Sequence, residues 1–227
     1  EPDEDFTVGG TVTSGNTSNT NPSGTVTITD NDATPTVSIG DVTVGEGDGT
    51  ATVPVSIDVA SSVDTVVDIV TTTGTAGTAD FTTTTTTVTI PAGSTSVDVV
   101  IPITDDAISE SPEDFTVEGT VTSGNTVNTD PIGTVTINDN DSVNVTIGDV
   151  TVDEGDGTAT VPVTLSTPSA VATVVDIVTT TGTAGTSDYT ETTTTVTIPA
   201  GSTSVDVNIP ITDDTIGEPT EAFTVDG

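Results

Sequence analysis

The sequence predicts an all-β protein made of tandem immunoglobulin-like antiparallel β-sandwiches. Three observations carry this. Stretches such as Thr50-Ala-Thr-Val-Pro-Val-Ser-Ile and Thr134-Val-Thr-Ile alternate polar with apolar β-branched residues, the period-two pattern of half-buried strands. No stretch carries a helical period, and threonine, about a quarter of the chain, loses side-chain freedom in helices. The chain also repeats itself: Val37-Ser-Ile-Gly-Asp-Val-Thr-Val returns as Val145-Thr-Ile-Gly-Asp-Val-Thr-Val, and Ile90-Pro-Ala-Gly-Ser-Thr-Ser-Val-Asp returns from Ile198, both 108 residues on.

The repeat fixes the order of domains. Upstream of residue 32 the offset is 109, since Phe6 matches Phe115 and Gly24-Thr-Val-Thr-Ile matches Gly133-Thr-Val-Thr-Ile. Such slips collect in linkers, so a boundary falls between Asp32 and Val37. Residues 1–32 read as the C-terminal part of a preceding repeat. Residues 33–141 are a complete repeat, and 142–227 a following repeat without its last strand. Residue 1 falls inside a repeat, which suggests a piece of a longer secreted chain.

Within 33–141 seven strands are expected, at 37–44, 50–57, 65–72, 83–90, 96–103, 114–122 and 133–138, with Gly, Pro, Asn and Asp between them. That number and spacing suit a sandwich. The core is Val and Ile with few aromatics, namely Phe81, Phe115, Tyr189 and Phe223. Pro54 and Pro102 fall inside strands and require a sheet edge or a bulge, because proline cannot donate to a ladder. The threonine run at 82–87 reads as an exposed strand face.

Charge narrows the function. The 227 residues hold 36 acids and no Lys, Arg or His, a formal net charge of −36. No side-chain salt bridge can form. Nucleic acid and anionic membrane surfaces are excluded as partners, because both are bound through Lys and Arg. There is no cysteine, so no disulfide or thiol chemistry. No apolar run reaches the length of a membrane span. Most nucleophile–base pairs need His, Cys or Lys, so the chain is read as not an enzyme.

Strand parity gathers the acids. With the strands lettered A to G, the AB, CD and EF loops and the end of G share one pole of an antiparallel sandwich. Those places hold Glu46; Asp80; Asp105, Asp106, Glu110 and Glu113; and Asp139 with Asp141. The loops of the other pole are mostly small and neutral. Eight clustered carboxylates cannot all stay ionised unpaired. Oxygen-only ligands select a hard cation, calcium before magnesium, and several ions per junction. The competing reading is a solvated acidic rim that keeps the protein soluble.

At these residues the sequence resembles the Calx-beta repeat. The marks are Glu46-Gly47, Gly74-Thr75-Ala76 with Asp80-Phe81, Ile90-Pro91-Ala92-Gly93, Asp-Asp-x-x-x-Glu-x-x-Glu-x-Phe at 105–115, and Thr136-Ile137-Asn138-Asp139-Asn140-Asp141. The resemblance implies a β-sandwich binding several calcium ions at its distal end. The implied ligands are Glu46, Asp80, Asp105, Asp106, Glu110, Glu113, Asp139 and Asp141 with the Ile108 carbonyl. In the next repeat they are Glu154, Asp188, Asp213, Asp214, Glu218 and Glu221 with Ile216. No closing Asp-Asn-Asp follows there within the sequence, and the first fragment keeps only Asp30 and Asp32 of its pole.

Near-identical tandem copies without bases most resemble the large bacterial surface members of that family, adhesins of gliding-motility or biofilm type. The expected role is a structural segment of a secreted, extracellular adhesin stalk or filament on the bacterial cell surface, stiffened by calcium at inter-repeat junctions. Its partners would be neighbouring repeats of the same chain, surface polysaccharide or other cell-surface proteins. The alternative is a calcium-sensing regulatory module. Only three residues separate Asp141 from Val145, so Asp149 or the 169–172 loop is expected beside the acidic pole.

Overall fold

The computed structural model describes residues 3–227 and is nearly all β, with no cis peptide bond among the described residues. Its strands are β1 (Glu4–Gly9), β2 (Ser23–Ile28), β3 (Val37–Ile39), β4 (Val42–Gly45), β5 (Thr50–Ile57), β6 (Thr65–Thr73), β7 (Thr85–Ile90), β8 (Ser96–Pro102), β9 (Glu113–Ser123) and β10 (Ile132–Asn138). They continue with β11 (Val145–Ile147), β12 (Thr158–Leu165), β13 (Thr173–Thr180), β14 (Thr193–Ile198), β15 (Ser204–Pro210) and β16 (Thr224–Asp226). Short 3₁₀ turns occupy Glu46–Asp48 and Glu154–Asp156.

Two compact units result. The first comprises Glu1–Val44, Asp48–Thr104 and Glu113–Ile137; the second comprises Gly45–Gly47, Asp105–Pro112 and Asn138–Gly227. In the first unit one sheet has the order β3-β5-β8 and the other β4-β10-β9-β6-β7, and β3–β5, β5–β8, β10–β9, β9–β6 and β6–β7 all pair antiparallel. Alternate residues of both sheets point into one core that includes Val53, Val55, Ile69, Ile101, Phe115 and Val135. Phe81 and Phe115 stack at its end, ring centroids 3.9 Å apart. The antiparallel hairpin β1–β2 repeats the sequence of β9–β10. Its Phe6 is 51% exposed, whereas Phe115 is fully buried.

One sequence expectation needs correcting. The first strand of the repeat, expected unbroken over 37–44, is two strands in different sheets. β3 pairs with β5, and the chain then crosses at Gly40-Asp41 so that β4 lies beside β10. The cause is Pro54. Gly40 donates its N–H to the Pro54 carbonyl at 2.9 Å, but Pro54 has no N–H to return, so the ladder ends there. A side chain at Gly40 would also strike the Pro54 ring, its Cβ falling 2.8 Å from Cγ. Pro102 ends β8, an edge strand, whereas Pro54 lies within β5, the middle strand of the same sheet, where it is tolerated because β3 stops beside it. β7 starts at Thr85 rather than 83, because the Thr84 N–H is taken by the Thr71 hydroxyl at 2.8 Å.

In the second unit the sheets are β11-β12-β15 and β14-β13-β16 around a second core, with Tyr189 and Phe223 stacked at 4.0 Å. Gly148 bonds the Pro162 carbonyl at 2.8 Å, so the same proline ends the same ladder. Residues 151–153, the counterpart of 43–45 in β4, form no strand. In the first repeat β4 rests on β10, and no equivalent of β10 occurs within 142–227. A cleft of about 870 Å³ lies there instead, lined by Val150, Val152, Tyr189, Phe223 and Val225 together with several acids.

Candidate metal centre

Local structure places the acids before any long-range packing does. Glu46 opens a 3₁₀ turn between two glycines. A Cβ at Gly47 would lie 2.6 Å from the Asn140 amide nitrogen, so a side chain there would displace that amide. Along Asp105–Pro112 the carboxylates fold the loop on themselves: Ile108 donates its N–H to Asp106 Oδ1 at 2.6 Å. After β10 the chain closes in the same manner, Asp141 donating its N–H to Asp139 Oδ1 at 2.9 Å.

These segments meet in the second unit. Asp106 donates its N–H to Glu46 Oε1 at 3.0 Å, and Glu110 donates its N–H to Asp139 Oδ2 at 2.8 Å. The Asn140 amide donates to Asp105 Oδ1 at 3.2 Å. Glu46, Asp139 and Asp141 each offer a carboxylate oxygen within 4.8 Å of the others. Glu46 is only 5% exposed.

The electrostatics are those of an uncompensated site. Burial pushes the Glu46 carboxyl up, and so do the charges of Asp106, Asp139 and Asp105; the bond from the Asp106 N–H pulls the other way. Asp141 is raised by burial first, then by Asp139, Asp105 and Asp106. Asp141 Oδ2 is buried with no hydrogen-bond partner. An orphaned carboxylate oxygen among other acids, in a chain without Lys, Arg or His, fits a hard divalent cation, which would neutralise what no side chain here can.

The second repeat gathers a different subset. Asp188, Glu218 and Glu221 bring one oxygen each within 4.8 Å of one another, and Asp80, Glu110 and Glu113 stand at the equivalent positions of the first repeat. Asp188 is fixed by the Gly185 N–H at 2.6 Å, and Asp80 by the Gly77 N–H at 2.6 Å. Asp188 titrates below its usual value, chiefly through that Gly185 bond and the Ser187 hydroxyl. Glu218 and Glu221 are pushed up by burial, with the Asp188 charge next in each case. Asp214 donates its N–H to Glu154 Oε1 at 2.8 Å, repeating the Asp106–Glu46 bond, yet Glu154 is exposed. Asp213 is exposed, and so is Ile216, whose N–H goes to Asp214 at 2.6 Å. In the first fragment Asp32 donates its N–H to Asp30.

Two supporting features were not legible as site residues. Asn140 holds Asp105 in place and stood in the sequence only as the middle of a motif. The Gly74-Thr75-Ala76 segment clamps the start of β9: Ala76 donates to the Asp114 carbonyl at 2.9 Å, and the Thr75 hydroxyl and Asp114 exchange two bonds of 2.8 Å. A Cβ at Gly74 would lie 2.5 Å from that carbonyl. Gly182-Thr183-Ala184 does the same for Ala222.

Residues 29–141, and again 136–226, match the Calx-beta domain. The chain belongs to the Calx-beta family. No curated protein matches it. Among solved structures it is similar to the CBD12 region of CALX1.2, at 20% identity over 78% of this chain and 74% of that one, TM-score 0.41. It is similar also to the calcium binding domain CBD12 of CALX1.1, at 21% over 82% and 76%, TM-score 0.41. The apo form of the Calx CBD1 domain is 23% identical over 48% of this chain and 100% of that one, TM-score 0.42.

Proposed function

We propose that this Calx-beta segment is a calcium-binding structural element of a secreted adhesin stalk or filament on the bacterial cell surface, and that it is not an enzyme. The observation carrying the metal reading is the buried Glu46 among Asp105, Asp106, Asp139 and Asp141, with one Asp141 oxygen left orphaned. The all-oxygen donor set, without His or Cys, supports calcium as the cation. The proposed ligands of the first pole are Glu46, Asp80, Asp105, Asp106, Glu110, Glu113, Asp139 and Asp141 with the Ile108 carbonyl. Those of the next are Glu154, Asp188, Asp213, Asp214, Glu218 and Glu221 with Ile216. Bound calcium supplies positive charge. The protein supplies the carboxylates, on loops turned locally by the Asp106 and Asp139 side chains.

The stalk reading rests on tandem near-identical copies, spaced 109 residues between the first two and 108 between the next, with three residues between Asp141 and Val145. Domain boundaries at 1–32, 33–141 and 142–227 belong to the same proposal, as do gliding or biofilm adhesion and contacts with surface polysaccharide or other surface proteins. No helix among the described residues is long and apolar enough to cross a membrane. Calcium titration by calorimetry tests the reading. A stalk fills at roughly millimolar calcium and the alternative, a sensor, at roughly micromolar. Small-angle scattering should show a longer maximum dimension with calcium than with chelator, and Asp105→Asn with Asp106→Asn should give the chelated profile in either case. Equal profiles for wild type and double variant in calcium would leave only a solvated rim.

A further inference from the structure

β2 carries the sequence of β10 in a different setting. Its Gly24-Thr-Val-Thr-Ile is that of Gly133-Thr-Val-Thr-Ile. Val135 and Ile137 are 0% and 5% exposed in the first core, whereas Val26 and Ile28 are 42% and 54% exposed. Among the described residues β2 pairs with β1 alone, as a two-stranded sheet, and such ribbons are only marginally stable in water. The second repeat shows the reverse. Its core forms beside a cleft, and no counterpart of β10 lies within 142–227. There β16 is the outer strand of its sheet, and 150–153, the counterpart of β4, form no strand.

Gly24 shows what β2 is shaped to fit. Nothing in its own surroundings calls for glycine: its φ is not positive, and a Cβ there would meet nothing within 4 Å. Its counterpart Gly133 does need to be small. A Cβ at Gly133 would lie 2.7 Å from Ile39 Cγ2 and 2.9 Å from the Gly40 carbonyl oxygen. Ile147 and Gly148 repeat those two residues, and both line the cleft. Asp41 accepts the Thr134 N–H at 2.8 Å, and its counterpart Asp149 lines the cleft as well.

We propose that the cleft of the second repeat is the seat of a β2 strand donated by a second copy of this chain. The register follows from β10 and β9, where Thr134 faces Thr116, Gly133 faces Val117 and Ile132 faces Glu118. In the seat Thr25 faces Thr224, Gly24 faces Val225 and Ser23 faces Asp226, and 150–153 pair on the other side as β4 does. The donated strand leaves β1, because Phe6 faces Val26 as Phe115 faces Val135, so β1 and the β16 segment compete for one edge. Burial of Val26 and Ile28 beside Tyr189 and Phe223, with a second neighbouring strand gained, drives the exchange. β2 is followed by Asp30-Asn31-Asp32, the counterpart of Asp139-Asn140-Asp141, so the donor also delivers two carboxylates to Glu154. Each copy has one donor strand and one acceptor cleft, which makes the contact heterologous.

The test is sedimentation equilibrium of the 227-residue chain with chelator, in sodium chloride at about 1 M, where the screening length falls to about 3 Å. Read without calcium, the outcome is independent of the metal reading. Samples are melted and cooled first, so that β2 is free to leave β1. The average mass should rise with concentration above the 22.5 kDa of one chain. Amide exchange at 150–153 should slow in the associated sample, as those residues become a strand. Gly24→Val should raise the concentration needed for association by about tenfold or more, since the added carbons overpack the seat. The dilute variant should melt as the wild type does, because its own hairpin has room at that position. A peptide of residues 22–32 in excess should return the wild type to single-chain mass and should bind the Gly24→Val chain, whose cleft is intact. The proposal is overturned by a wild type that stays at single-chain mass, by a Gly24→Val chain that associates as the wild type does, by association without new protection at 150–153, or by a peptide that does not bind.

Discussion

The acid groups of the two repeats start from nearly the same residues and reach different states. Around Glu46 the chain returns after β10, and 139–141 cover the carboxylate: Glu46 is buried, Asp139 receives Glu110, and an Asp141 oxygen loses every partner. Around Glu154 the same backbone bond from Asp214 forms, but no such segment returns within 142–227, and Glu154 stays in water. The backbone turns are therefore local properties of the Asp-Asp and Glu-Gly motifs. Burial, and with it the strong case for a cation, comes from the strand that closes the site.

The largest test of this comparison is in the aromatic pairs beneath the acids. Phe115 is fully buried against Phe81, so Phe115→Ala should cost about 3–5 kcal/mol in urea denaturation. Phe223, half-buried beside the open cleft, should cost clearly less on the same change. Equal losses would show that the strand equivalent to β10 contributes nothing to the packing of the aromatic pair.

At the site itself, Glu46→Gln should weaken calcium binding by at least the roughly 10–100-fold typical of removing even an outer partner of a metal. Glu154→Gln should matter less, since Glu154 is solvated. Calorimetry on the two single variants separates them, and a larger loss for Glu154 would reverse the assignment of the closed site.

A smaller effect is expected at the one aromatic position where the repeats differ in chemistry. Tyr189 stands where the first repeat has Phe81, and its hydroxyl is buried without a partner. Tyr189→Phe should therefore stabilise the second repeat, by about 1 kcal/mol, at the low end of the cost of an unpaired buried hydroxyl. Destabilisation in thermal unfolding would mean that the hydroxyl has a partner in solution.

Acid should act in two directions. Glu46 and Asp141 hold their protons more tightly when folded than when unfolded. Their contribution to stability is complete below the ordinary carboxylate values and is lost as pH rises through the raised ones. Lowering pH from 7 toward 4.5, the ordinary glutamate value, should thus stabilise the calcium-free chain while weakening calcium binding, because protons compete for the same oxygens. Asp188 works oppositely, its stabilisation disappearing only as pH falls below its ordinary 3.8. Calcium affinity that rises on acidification would show that the raised carboxylates are not ligands.

Much of the fold was legible because β-strands write their pattern locally. Thr50 to Ile57 alternates in sequence and alternates in burial, and Pro54 announced an interrupted ladder. What the interruption does was not legible: a strand expected over 37–44 changes sheets at Gly40, since the choice of partner depends on Pro54 and β10, both far along the chain. The site followed the same division. The spacing of Asp105, Asp106, Glu110 and Glu113 is a statement about one loop, and strand parity sends that loop to one pole.

By itself, then, the sequence determined the class of fold, the repeat and the collection of acids in a few loops without a base to answer them, because alternation, periodicity and the absence of bases are properties of residue order and composition. Only the tertiary structure decided that Glu46 is buried and that Asn140 holds Asp105. Those depend on segments distant in sequence arriving at one place, and burial and main-chain pairing exist only once they have arrived.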